Sequence, residues 1–198
     1  MSPRGSSRET ILDAAEEVVL EIGAGHLTLN AVAEKAGVSK GGLMYNFPTK
    51  EALLTAMVQR MIEHIKDQRE QKQATIPPGP AQQVKAHVLS VLEPNPDPRL
   101  DRVKSAVLAA AAINPKLLQP VRDDYESFLA NLASSGMRFE LAAVIALAAD
   151  GLRLLELLKV SALPSQQRDA VIAEMLRLAD EAQKGVRTDS ETGTGKKG

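Results

Sequence analysis

The chain has no cysteine in its 198 residues, so disulfides and thiolate metal sites are both excluded. It also lacks a signal-peptide pattern: the opening MSPRGSSRETIL holds no apolar run, and the expected location is the cytoplasm. No membrane-length hydrophobic run is present, because the most apolar stretch, Ala142 to Val160, is interrupted by Asp150, Arg153, Glu156 and Lys159. That stretch reads as a buried helix of a soluble protein. His26, His64 and His87 stand far apart without metal-ligand spacing, so neither a metal nor another cofactor is expected. There is no glycine-rich phosphate cradle and no paired-carboxylate motif, which argues against an enzyme. Strand-type alternation and internal repeats are missing too, which leaves an all-α fold.

An excess of positive charge is absent as well. The formal net charge is −1, and in the first fifty residues Arg4, Arg8, Lys35, Lys40 and Lys50 face Glu9, Asp13, Glu16, Glu17, Glu21 and Glu34. Nonspecific affinity for nucleic acid is therefore expected to be modest, although the acids gather on the first helix, away from Lys40 and Lys50. The length allows one sizeable core, or a small domain beside a larger one.

What the sequence does contain is concentrated between Thr28 and Phe47, TLNAVAEKAGVSKGGLMYNF, where two short helical patterns meet at Ala36-Gly37-Val38-Ser39. Leu29, Val32, Ala33 and Ala36 recur at the spacing of one helix face. Gly37 supplies a left-handed residue to end the first helix, and Ser39 offers a hydroxyl to cap the second. A short turn with glycine sets two such helices across each other. In a DNA reader the second helix, here Lys40 to Phe47, lies in the major groove with its N-terminal residues at the base edges. Gly41 and Gly42 each cost about 1 kcal/mol of helix propensity relative to alanine, and close approach of backbone to phosphates and bases gives them a reason. A plain helical hairpin with glycines placed for packing has the same bare pattern. Pro48 then stops the helix, and Thr49 caps a long one whose apolar positions Leu53, Leu54, Met57, Met61 and Ile65 continue to about Gln73. Upstream, Ser6-Ser7-Arg8-Glu9 reads as the capping box of a first helix to about Glu21, with Ile11, Ala15, Val18 and Ile22 on one face.

The run GVSKGGLMYNFPTKEALL, Gly37 to Leu54, resembles the signature of the TetR family of bacterial transcriptional regulators, a likeness that covers about residues 8 to 54. The resemblance implies a helix-turn-helix head over residues 1–48 and a helical effector-binding and dimerisation body over 49–184, about nine helices in total. It implies a homodimer on palindromic double-stranded operator DNA, and it carries DNA contacts onto Thr28, Lys40, Gly41, Gly42, Tyr45, Asn46 and Lys50. Asn46 stands where the family most often has histidine, and Met44 where it often has tyrosine; asparagine keeps a donor and an acceptor for phosphate or adenine. Arg4, in the leader, either reaches a minor groove or is simply solvated. GLMYNFPTKEALL together with AADGL is similar to family members that repress drug-efflux genes and leave DNA on binding lipophilic, often cationic, compounds. The expected function is thus a repressor released by a small lipophilic effector and controlling an efflux gene. The alternatives are a regulator of metabolic genes with a different effector and a helical adaptor that binds no DNA.

Ala74 to Pro80, ATIPPGP, breaks the long helix. Body helices are expected at about 81–92, 99–113, 115–133, 138–160 and 165–183, followed by a disordered tail over 185–198 that has little apolar surface to bury. Leu141, Ile145, Leu152, Leu155 and Leu158, with Val171, Met175, Leu178 and Ala179, form faces that either close a four-helix bundle with a second subunit or lie inside one core. Ala106 and Ala109 to Ala112 suit either a ligand cavity or close helix packing. Asp150 shares an apolar face with Leu147 and Leu154, and a buried carboxylate needs a partner. Arg153 is one reading of that partner; in the other, Asp150 or Glu156 is an acidic wall for a cationic ligand, with Tyr125 and Phe128 as aromatic faces. Candidate ligand-lining residues are His64, Gln68, Leu108, Tyr125, Phe128 and Asp150. An effector among helices four to seven would act through helix four, and only by favouring the DNA-incompetent state.

Overall fold

The computed structural model describes residues 7–94 and 98–192, and the side chains of all of these except 98, 107–113 and 183–192. Among the described residues every regular element is helical: α1 (Ser7–Ile22), α2 (Leu29–Ala36), α3 (Lys40–Asn46), α4 (Lys50–Thr75), α5 (Gln82–Leu92), α6 (Pro98–Ile113), a 3-10 turn (Pro115–Leu118), α7 (Gln119–Ala133), α8 (Phe139–Leu157) and α9 (Ser165–Thr192). Contacts divide the chain into two compact units, one of Met1–His64 with Asn95–Asp123 and one of Ile65–Pro94 with Asp124–Gly198. The segment Asn95–Asp123, expected wholly in the body, groups with the head because α6 packs on α1.

In the first unit the apolar stripe of α1 buries Ile11, Leu12, Ala15, Val18 and Val19. Ile22, expected on that stripe, is exposed: it ends the helix, and Gly23 at φ 83° turns the chain away. α2 lies against α1 and α3, with Val32 and Leu43 fully buried. Ion pairs tie the helices from outside. Arg60 of α4 reaches Asp13 at 2.7 Å, Glu16 with its Nε at 3.1 Å and Glu9 at 3.5 Å. Lys35 of α2 holds Glu21 at 2.6 Å and Glu17 at 3.4 Å.

The second unit is built on α5, α8 and α9. Val84, Val88 and Leu92 pack with Ile145, Leu152, Met175 and Ala179, and Phe128 and Leu132 of α7 join the same cluster. Ala142, Ala146 and Ala149 make the buried side of α8 thin, which permits close helix packing. Arg168 of α9 donates to Glu156 at 2.5 Å and to the Leu92 carbonyl at 2.5 Å, satisfying an orphan acceptor at the end of α5.

Several expectations are corrected here. Ile145, Leu152, Met175 and Ala179, assigned to a face that could dimerise, lie in the internal core. Leu155, Leu158 and Val171 of the expected faces are exposed, and Val144, Leu147 and Leu154 join Leu155 and Leu158 in an exposed apolar stripe along α8 and its C-cap. Because α8 is apolar on nearly every side, its periodicity carries little information about phase. The helix expected over 115–133 opens as a 3-10 turn, with Pro115 at its first position and the Asn114 side chain as its cap. α8 stops at Leu157, where Lys159 turns left-handed at φ 57° and the Val160 N–H returns to the Leu155 carbonyl at 2.9 Å. α9 runs on to Thr192, so residues 185–192 of the expected disordered tail are helical, while 193–198 lie outside the described residues. Extending an existing helix avoids the nucleation cost that a weak helix-forming sequence faces alone.

Candidate nucleic-acid interface and ligand site

Local hydrogen bonds set the geometry of the head. The Thr28 hydroxyl accepts from the Ala31 N–H at 3.2 Å, that of Ser39 from Gly42 at 3.1 Å and that of Thr49 from Ala52 at 3.0 Å, so α2, α3 and α4 each begin at a side-chain cap. Gly37 at φ 66° closes α2, and the Val38 N–H bonds back to Ala33 at 3.0 Å. α3 turns Leu43 inward, and Phe47 just beyond its end is also buried. Its other side presents Lys40, Gly41, Met44 and Tyr45, all exposed, with Tyr45 at 91%. A Cβ added at Gly41 would meet nothing within 4 Å, so bare backbone faces outward there. At Gly42 it would lie 3.3 Å from the Ser39 hydroxyl, and the cap accounts for that glycine.

Two of the candidate contacts are partly engaged within the head. Asn46 donates to the Gly42 carbonyl at 3.0 Å, and Lys50 donates to the Gly25 carbonyl at 2.7 Å. Each keeps further capacity, the second amide N–H and the amide oxygen of Asn46 and the remaining ammonium protons of Lys50. The acids of α1 are matched by Arg60, Lys35 and Arg99, none of them on α3. Lys40 makes no ion pair among the described residues, which leaves its charge available at the exposed face. Arg4 and Ser6 lie outside the described residues.

In the second unit Asp150 is the meeting point of three helices. His87 of α5 lies with Nε2 2.9 Å from one carboxylate oxygen, and the Tyr125 hydroxyl of α7 donates to the other at 2.8 Å. An ionised carboxylate only accepts, so His87 donates from Nε2. Its Nδ1 is buried without a partner among the described residues. The His87 ring, 4% exposed, stacks on Phe128 with centroids 4.4 Å apart, and the Arg69 guanidinium sits 4.9 Å from the Phe128 centroid. Asp124, itself buried, holds Arg69 at 3.2 Å and Lys66 at 3.4 Å. Burial foremost, then the Asp150 carboxylate, pushes the Tyr125 phenol above its ordinary value.

This arrangement changes the expected ligand wall. Asp150 has a side chain 33% exposed, with partners on α5 and α7, and is not a buried acid. Phe128 is 3% exposed and already covered by His87 and Arg69, so it offers no open aromatic face. Glu156 is taken by Arg168 and lies 3.6 Å from Arg153, which removes it as an acidic wall. Gln68 is half-buried on α4, and the Leu108 side chain lies outside the described residues, as does the Ala109 to Ala112 run. His64 belongs to the first unit by its contacts, while Gln68, Tyr125, Phe128 and Asp150 belong to the second; the His64 Nε2 is buried without a partner among the described residues. His87 escaped the sequence reading, because a lone histidine on an apolar helix carries no signal of a partner 63 residues away. Met44, exposed one turn beyond Lys40 on the same helix side, was not among the candidate contacts. Among the described residues no group of three potential ligands for a metal occurs, and no helix is long and apolar enough to cross a membrane.

The head and the body each match a known pattern. Residues 11–57 match the model of bacterial regulatory proteins of the tetR family, and residues 81–180 match that of the tetracyclin repressor-like C-terminal domain. The HTH-type transcriptional regulator RutR of Escherichia coli K12 is 38% identical over 58 residues, 29% of this chain and 27% of RutR, so the chain spans little over a quarter of that relative. A TetR-family transcriptional regulator from Rhodococcus sp. superposes with a TM-score of 0.70 at 19% identity, covering 90% of this chain and 100% of that one. The multidrug binding protein EbrR, complexed with malachite green, superposes at 0.67 with 21% identity over 88% of this chain and 98% of EbrR. At such identities the structures establish the fold alone. With both halves matched by their own family patterns, and with the capped helix-turn-helix in place, the chain belongs to the TetR family of bacterial transcriptional regulators.

Proposed function

We propose that the protein is a repressor that holds a palindromic operator as a homodimer and leaves it when a small, lipophilic, cationic effector binds the body. The observation that carries the DNA half is the outward side of α3, where Lys40, open backbone at Gly41 and the 91%-exposed Tyr45 face outward while the α1 acids pair with Arg60 and Lys35. Thr28 and Gly42 lie at the capped starts of α2 and α3, and Asn46 with its second amide N–H and Lys50 with its remaining ammonium protons add phosphate contacts. The exposed stripe Val144, Leu147, Leu154, Leu155 and Leu158 supports self-association, since water-facing apolar patches of this kind mark interfaces. A twofold dimer sets two recognition helices on one DNA face, and hence an inverted repeat.

The effector half rests on Asp150, a partly exposed carboxylate beside the half-buried Tyr125 ring. Malachite green, the compound complexed with EbrR, is a lipophilic aromatic cation and supports the same ligand class here. In this reading the regulated gene encodes an exporter of the effector, and the protein works on chromosomal DNA in the cytoplasm. The effector releases DNA only to the extent that it binds the DNA-incompetent form more tightly. The test is selection of genomic fragments by the purified full chain, followed by titration of the selected complex with malachite green. An enriched inverted repeat released by the dye is expected. Enrichment of no sequence would contradict the DNA reading, and retention of the operator at saturating dye would contradict the assigned effector.

A further inference from the structure

We infer that Met44 reads a thymine methyl in the major groove and so sets part of the operator sequence; the inference rests on the DNA-binding reading above. Met44 is the fifth residue of α3, one turn beyond Lys40 and beside Tyr45, and it is 43% exposed while its neighbour Leu43 is fully buried. A single exposed apolar residue is ordinary on a protein surface. This one, however, lies on the side of the helix where Gly41 has no side chain and a Cβ would meet open space, so nothing on α3 screens the thioether from an approaching groove.

The groove supplies a limited choice of complements. Its base edges display hydrogen-bond donors and acceptors, and the C5 methyl of thymine is the apolar group among them. A thioether is a weak acceptor and no donor, so the favourable contact for Met44 is that methyl. Hydrogen-bonded readout on the same face falls to the exposed Lys40, whose ammonium suits the O6 and N7 acceptors of guanine, while the half-buried Asn46 spends one amide N–H on the Gly42 carbonyl. Residues four apart are about 6 Å apart along a helix axis. At about 3.4 Å per base step, the half-site carries a guanine and a thymine roughly two steps apart.

The test replaces each thymine of the selected operator in turn with deoxyuridine, which removes one methyl and leaves the hydrogen-bonding edge intact. At one thymine per half-site the wild-type chain is expected to lose about fourfold in affinity, the effect of one methyl-sized group. Met44→Ala should bind the thymine and deoxyuridine operators equally at that position, and Met44→Leu should keep the preference. Unchanged helical circular dichroism and melting of both variants separate readout from folding. An operator bound equally with and without every methyl overturns the inference and leaves the DNA reading standing, as does an undiminished methyl preference in Met44→Ala. A chain that selects no operator overturns both.

Discussion

Tyr125 and Gly41 are two kinds of position in this chain, one that holds the fold and one proposed to meet DNA. The Tyr125 phenol is raised above its ordinary value of 10.0 by burial and by its bond to Asp150, so the unfolded chain releases this proton at lower pH than the native one. Its contribution to stability is full below pH 10.0 and is lost as pH rises beyond it. Denaturant melts should show that loss in the wild type and a smaller one in Tyr125→Phe. The chain has two tyrosines, so a Tyr45→Phe background isolates Tyr125. There, Asp150→Asn should bring phenolate absorbance up at lower pH, and an unmoved titration would show that burial alone sets the shift. Gly41 is the opposite case. With open space at its Cβ, Gly41→Ala is expected to stabilise the free protein by roughly 0.5–1 kcal/mol while weakening DNA binding. A variant that gains stability and keeps full affinity would mean that no backbone contact is made there.

At the scale of elements, the head is held by short-range signals and by one clamp. Arg60 draws Glu9, Asp13 and Glu16 of α1 onto α4. Arg60→Met should cost the head on the order of 2 kcal/mol, because three acids on successive turns lose a shared, partly buried partner. Circular dichroism through a denaturant titration measures this, and an unchanged midpoint would mean that solvent already screens the pairs. The helix-turn-helix was legible because its determinants lie within one turn: Thr28 to Ala31, Ser39 to Gly42, Thr49 to Ala52, and Gly37 between. The cluster around Asp150 was not, since its partners come from α5 and α7, and no local pattern pairs an acid with a histidine so distant in sequence. The phase of α8 was hidden for a different reason: with apolar residues all round, which leucines face the core depends on what the rest of the chain packs against it. Likewise the proline at 115 marked a helix start but not the 3-10 turn that precedes α7.

For the whole molecule, the proposed function depends on pairing two heads. Leu155→Glu puts a charge in the middle of the exposed α8 stripe without touching the buried residues of that helix. Sedimentation should find a monomer with native helicity, and operator affinity should fall steeply, because one head lacks the second half-site. A dimer that survives Leu155→Glu would move the interface elsewhere. The central claim is that the exposed side of α3 makes this chain a sequence-specific DNA binder. Fluorescence anisotropy against the DNA just upstream of its own coding frame, beside a scrambled duplex, tests this most directly when run over a salt series with wild type and Lys40→Ala. The account predicts tight wild-type binding to the native fragment alone, with log affinity falling by about 0.9 per phosphate contact for each log unit of salt, and weaker binding by Lys40→Ala. Equal, weak binding of both duplexes, unaffected by Lys40→Ala, would contradict it.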